Sequence, residues 1–148
     1  MDAVIHDEPR TCDRRLKQLF DSTRAQWIEI VKAAVAARAS CTDDHAKEAP
    51  GFYAWNAATA RARQIFRPQG WERGDEGGIE TIIHHNFKKI VAVLNTDAGT
   101  ADHSRSPKNR TPKGPASEKV VDLNNQFELF KPTEVRPPSE WPYSRWYL

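Results

Sequence analysis

Cysteine is scarce in this sequence: 148 residues contain two, Cys12 and Cys41. They flank a stretch that reads as one long helix, whose ends would lie roughly 40 Å apart at about 1.5 Å per residue. A disulfide needs Cα atoms within about 7 Å. Two free thiols in a reducing cytosol are therefore expected, unless that helix folds back as a hairpin. Long apolar runs are missing too, and nothing approaches the ~20 residues that cross a bilayer. The opening MDAVIHDEPR is acidic and has no apolar core, which speaks against a signal peptide. Net charge is only +2, too little to announce a polyanion partner from overall charge alone. CxxC, HxH and HExxH are absent, as is a glycine-rich phosphate loop between strand and helix. No E-x-K triplet of the kind used by hydrolytic nuclease sheets appears in residues 77–96.

What is present suits one domain with a core of its own. Hydrophobic residues make up 39% and charged residues 28% of the chain. The densest β-branched run is GGIETIIHHNFKKIVAVLNT, residues 77–96. It reads as two strands joined by a tight polar turn.

The remaining elements follow from periodicity. Over 14–38, Leu16, Leu19, Phe20, Trp27, Ile30, Val31, Ala34 and Val35 recur at spacings of three and four, a helical stripe. Asp13 or Thr11 can cap it, and Asp21-Ser22-Thr23 is a weak patch able to divide it in two. A second helix is expected over 51–66, ended by Pro68 and Gly70. Trp71-Glu72-Arg73 reads as a short first strand, 79–84 as the second and 89–95 as the third. Strand three is apolar on both faces, so the helices should cover it. Residues 96–117 lack periodicity. Ser117 can cap a third helix over 118–130, with Val120, Leu123, Phe127 and Phe130 along one side. Residues 132–148 form a proline- and aromatic-rich tail that should dock on the body or on a partner. Its last residues, RWYL, also resemble a strand cut short. Trp27, Val31, Ile65, Ile83, Val91, Val93, Leu123 and Phe127 are expected to share one core.

Two sets of residues invite a functional reading. Arg105, Lys108, Arg110 and Lys113 lie within nine residues with no acid among them. Such a loop can follow a phosphate backbone, and it can equally be a solvated surface loop. Lys88 and Lys89 at the hairpin turn could extend the footprint, as could Arg61, Arg63 and Arg67. Trp141, Tyr143 and Trp146 would add aromatic contacts. The second set surrounds NTDAGT, residues 95–100, at a strand end where loops often carry sites. Asp97, Asp102 and His103 are metal-type ligands. Turn chemistry explains the same residues, with Gly99 permitting positive φ. Glu80 and His84 share a strand face, so Glu80, His84 and Asp97 could converge as a metal-dependent, nuclease-like hydrolase. His84 and His85 cannot both reach one metal, because strand neighbours alternate.

The runs GWER, GIETII, IVAVLNTDAGT, PKNRTPKGPAS and VVDLNNQFELF resemble small uncharacterised proteins carried by phages and prophages. The resemblance covers roughly residues 55–130. It implies a mobile-element setting in a bacterial cytoplasm and no particular reaction.

The expectation is an α+β domain over 1–131. It has two N-terminal helices, a three-stranded antiparallel meander and one C-terminal helix, and the tail over 132–148 follows it. The leading function is that of a non-enzymatic accessory protein. It would bind nucleic acid, or block a host nucleic-acid-handling or defence protein. No cofactor, metal-ligand set or membrane partner is expected. The hydrolase is the alternative.

Overall fold

Asp21-Ser22-Thr23 decides the shape of the N-terminal half. In the computed structural model, which describes residues 7–75, 78–96, 104 and 143–148, this patch ends one helix and starts another. Helix α1 spans Pro9–Phe20 and helix α2 spans Arg24–Ala39. Asp21 adopts a left-handed conformation at φ 50° and caps α1 through its N–H. Thr23 caps α2 in a full capping box with Gln26. Between them Ser22 is 1% exposed, and its hydroxyl accepts the Trp27 indole N–H at 2.7 Å. Helix α1 starts earlier than residue 14. Pro9 suits the first helical turn, and the Glu8 carboxylate accepts the Thr11 N–H at 2.8 Å. The stretch read as one helix is therefore two, divided at the weak patch named in the sequence. Cys12 and Cys41 are free thiols.

Helix α3 spans Ala49–Phe66 and buries Ala54, Ala58, Thr59, Ala62 and Phe66. Its small residues let α2 pack closely against it. Trp27, Ile30 and Phe66 meet Phe20 and Trp71 in the central cluster. Full burial of a side chain such as Ile30 or Phe66 contributes about 1.5–3 kcal/mol.

Strand β1 spans Glu72–Gly74, β2 Thr81–His84 and β3 Lys89–Ala92. They form the expected antiparallel meander, with Ile82 paired to Arg73 and Val91. Gly74 is required by close approach. A Cβ there would stand 2.5 Å from both Thr81 Oγ1 and Ile83 Cδ1. The three-stranded expectation needs one correction. Strand β4, Ser144–Tyr147, pairs parallel to β3, giving a four-stranded sheet ordered β1-β2-β3-β4. Residues 143–148 thus belong to the sheet of the body, although the expected tail was set apart from it.

One sheet face packs on the helices, through Ile82 and Val91. Ile90 and Ala92 point the other way by alternation, and they too are buried. Not every expected core residue is inside. Val31 is 50% exposed, whereas its neighbour Ile30 on α2 is fully buried. The expected helix over 118–130, with Leu123 and Phe127, lies outside the described residues.

Candidate functional site: a cationic and aromatic corner of the sheet

The turn between β2 and β3, His85 through Lys88, stands beside the start of β4. Lys88 occupies the left-handed region at φ 52°, uncommon for a residue with a Cβ. Its ammonium lies 4.9 Å from the centre of the Tyr143 ring. Lys89 Nζ lies 5.6 Å from the Trp146 ring centre and donates to Ser144 Oγ at 2.7 Å. Burial pushes the Lys89 ammonium below its ordinary value. His85 Nδ1 meets the Tyr143 hydroxyl at 2.6 Å, and its Nε2 is 3.3 Å from Glu72. The parallel pairing of β3 with β4 therefore brings Lys88 and Lys89 to Tyr143 and Trp146, across more than fifty residues of sequence. Each lysine faces a ring, as in cation–π pairs worth about 0.5–1 kcal/mol at exposed sites.

The other proposed residues divide. Arg105, Lys108, Arg110, Lys113 and Trp141 lie outside the described residues, as do Asp97, Asp102 and His103. Arg61 is ion-paired with Glu29 of α2. Arg63 is ion-paired with Glu80 and donates to the Gly74 carbonyl at 3.2 Å and the Thr81 carbonyl at 3.3 Å. These two arginines tie the helices to each other and to the sheet.

Glu80 and His84 have other employment than metal ligation. The Arg63 guanidinium hydrogen-bonds the Glu80 carboxylate and holds it below the usual range. His84 is buried, with its ring stacked 4.0 Å from Phe87 and 5.2 Å from Trp71. Its Nδ1 accepts the Phe87 N–H at 3.2 Å. Burial, with the charge of His85 second, lowers its pKa and favours the neutral ring. Among the described residues no group of three His, Cys, Asp or Glu side chains could hold a metal ion. No described helix is long and apolar enough to cross a membrane.

A feature absent from the expectations lies on the helix side of β4. Leu16, Ile28, Val31, Val35, Val91 and Trp146 line an apolar groove of about 600 Å³. Ile28, Val31 and Val35 are 45%, 50% and 61% exposed. Val31 and Val35 belong to the expected helical stripe and Val31 to the expected core, while Ile28 is not singled out in the sequence.

Comparison with family models, curated proteins and solved structures gives no match.

Proposed function

We propose that this chain is a non-enzymatic binding protein that takes single-stranded nucleic acid at the corner formed by Lys88, Lys89, Tyr143 and Trp146. The observation that carries the reading is the convergence of two cations and two aromatic side chains from distant parts of the chain. Rings offer bases a stacking surface, worth about 1–3 kcal/mol per base, while ammonium groups meet the phosphates. The left-handed backbone at Lys88 holds its side chain over Tyr143 at a conformational cost of about 1–2 kcal/mol. Such a cost is consistent with a role outside the fold itself.

Arg105, Lys108, Arg110, Lys113 and Trp141 belong to the same proposal. Trp141 is two residues from Tyr143, so their Cα atoms lie within about 7.6 Å of each other. The C-terminal helix over 118–130 also enters here. Parallel neighbours such as β3 and β4 need a crossover connection, usually helical and right-handed. Ala92 turns its carbonyl to β4. Given L-amino acid chirality, a right-handed crossover then runs over the face of Ile90 and Ala92, opposite α1–α3. Val120, Leu123, Phe127 and Phe130 would supply its apolar side.

A bacterial cytoplasm, which the resemblance to phage and prophage proteins implies, is the setting we propose. A second reading, occupation of a host nucleic-acid-handling or defence protein, is favoured by the apolar groove beside β4.

The test is fluorescence anisotropy with labelled single-stranded DNA and RNA of about 20 nucleotides in ~50 mM salt, where electrostatic binding is strong. Lys88→Glu with Tyr143→Ser should weaken binding at least tenfold. Binding of neither nucleic acid by the wild type, or equal binding by the double variant, refutes the assignment.

A further inference from the structure

Among the described residues strand β4 is an edge of the sheet, and its backbone has a definite polarity. Ser144 N–H donates to the Lys88 carbonyl at 2.8 Å, Leu148 N–H to the Ala92 carbonyl at 2.9 Å, and Leu94 N–H to the Leu148 carbonyl at 2.9 Å. The even-numbered residues thus turn their peptide groups toward β3. Arg145 and Tyr147, by alternation, turn theirs toward the open side. Among the described residues β4 pairs only with β3.

The apolar groove opens beside this edge. Trp146, paired with Val91 and pointing to the helix side, forms its floor. The exposed ridge Ile28, Val31 and Val35 forms a wall. The charged residues that line it are both cations, Arg24 and Lys32. Arg24 is 3.3 Å from Asp13. Lys32 makes no ion pair among the described residues.

We infer that this edge and groove together form a docking site for an extended segment of a partner protein, apolar at alternate positions and carrying an acid that reaches Lys32. The inference deepens the second reading above and does not depend on nucleic-acid binding at the corner. Two independent features select the occupant. The open peptide groups of Arg145 and Tyr147 call for another main chain at strand spacing, which adds hydrogen bonds along the edge. The added strand's side chains on the helix side would then lie against Ile28, Val31 and Val35. A lipid tail or a helix in the same place would shield those peptide groups without pairing them, at a cost of about 1–3 kcal/mol each. A second copy of β4, sequence SRWY, brings no acid to Lys32.

The experiment is selection of a random decapeptide library displayed on phage against the full chain, with Val31→Asp as the counter-selection protein. Val31 is half exposed, so this variant should fold. Enriched peptides should alternate apolar residues and carry Asp or Glu. One such peptide, made synthetically, should protect the amides of Arg145 and Tyr147 from hydrogen exchange. Methylating its alternate backbone nitrogens on the edge-facing side should weaken binding at least tenfold, as should Val31→Asp and Lys32→Glu. The inference is overturned if nothing is enriched over the counter-selection, or if enriched peptides show helical spacing. It is also overturned if N-methylation leaves affinity unchanged, or if the two amides are protected by self-association without peptide. Failure of the oligonucleotide experiment leaves each of these outcomes readable.

Discussion

Two groups of aromatic residues meet at Phe20 and behave differently. Trp27, Phe66 and Trp71 surround Phe20 from one side, with ring centres 5.0–6.3 Å apart, and all four are buried. Trp146 touches Phe20 from the other side at 5.3 Å, yet it is 36% exposed and carries Lys89 on its face. Tyr143 likewise carries Lys88. In the first group the Trp27 indole N–H is satisfied internally, on Ser22. The second is bordered by cations and open to water. Aromatic content alone therefore does not separate core from surface. What separates them is the company each ring keeps.

That contrast can be broken most strongly at Trp27. Trp27→Ala should cost about 3–5 kcal/mol, the range for deleting a buried aromatic. Trp146→Ala should cost distinctly less, and urea denaturation of both variants measures the gap. Equal losses would place Trp146 in the core after all. Next in size is Ser22→Ala, which leaves the Trp27 indole N–H buried without its partner. A loss of about 1–3 kcal/mol is expected by the same measurement.

The pH dependence sharpens the comparison at the edge of the core. His84 is held neutral by burial, below its ordinary value of 6.5. The unfolded chain then binds the proton first as pH falls, so stability should decline as pH drops through about 6.5 and continue down to the lower folded-state pKa. Glu80 works in a different window: its depressed pKa contributes stability above 4.5 that is lost in more acidic solution. Melting temperatures between pH 7.5 and 5.5 should fall for the wild type, and fall less for His84→Gln.

The smallest expected change is at Lys88. Lys88→Gly relieves a left-handed residue and should raise stability by about 0.5–1 kcal/mol. It should weaken oligonucleotide binding at the same time. A variant that gains stability without losing affinity would show that the lysine has no part in the site.

Much of the fold is legible in sequence, and the failures have physical causes. The strand pair around the HHNFKK turn follows from alternation and turn chemistry. The end of α3 at Phe66 follows from Pro68 and Gly70. The 21–23 patch is readable as a weak point able to divide the helix, as it does. Ile30 and Val31 both fall within the apolar stripe, and spacing alone does not tell which of the two neighbours turns inward. The parallel pairing of β4 leaves no local signal, since its partner lies more than fifty residues away. For the same reason the sequence offers Lys88, Lys89, Tyr143 and Trp146 as candidates without showing that they meet. Arg63 and His84 look functional because a charge or an imidazole beside a strand suggests chemistry. Their partners, Glu80 for one and Phe87 and Trp71 for the other, become visible only in three dimensions.

The central claim is that the lysine and aromatic corner binds nucleic acid through phosphate charge and base stacking. The salt dependence of single-stranded oligonucleotide affinity tests it most directly, compared between the wild type and Lys88→Ala. Each phosphate neutralised contributes about −0.7 to the log–log slope for a single strand. The account predicts a clear negative slope for the wild type, made shallower by about 0.7 in the variant. An affinity that does not change with salt, or a slope that Lys88→Ala leaves untouched, would contradict it.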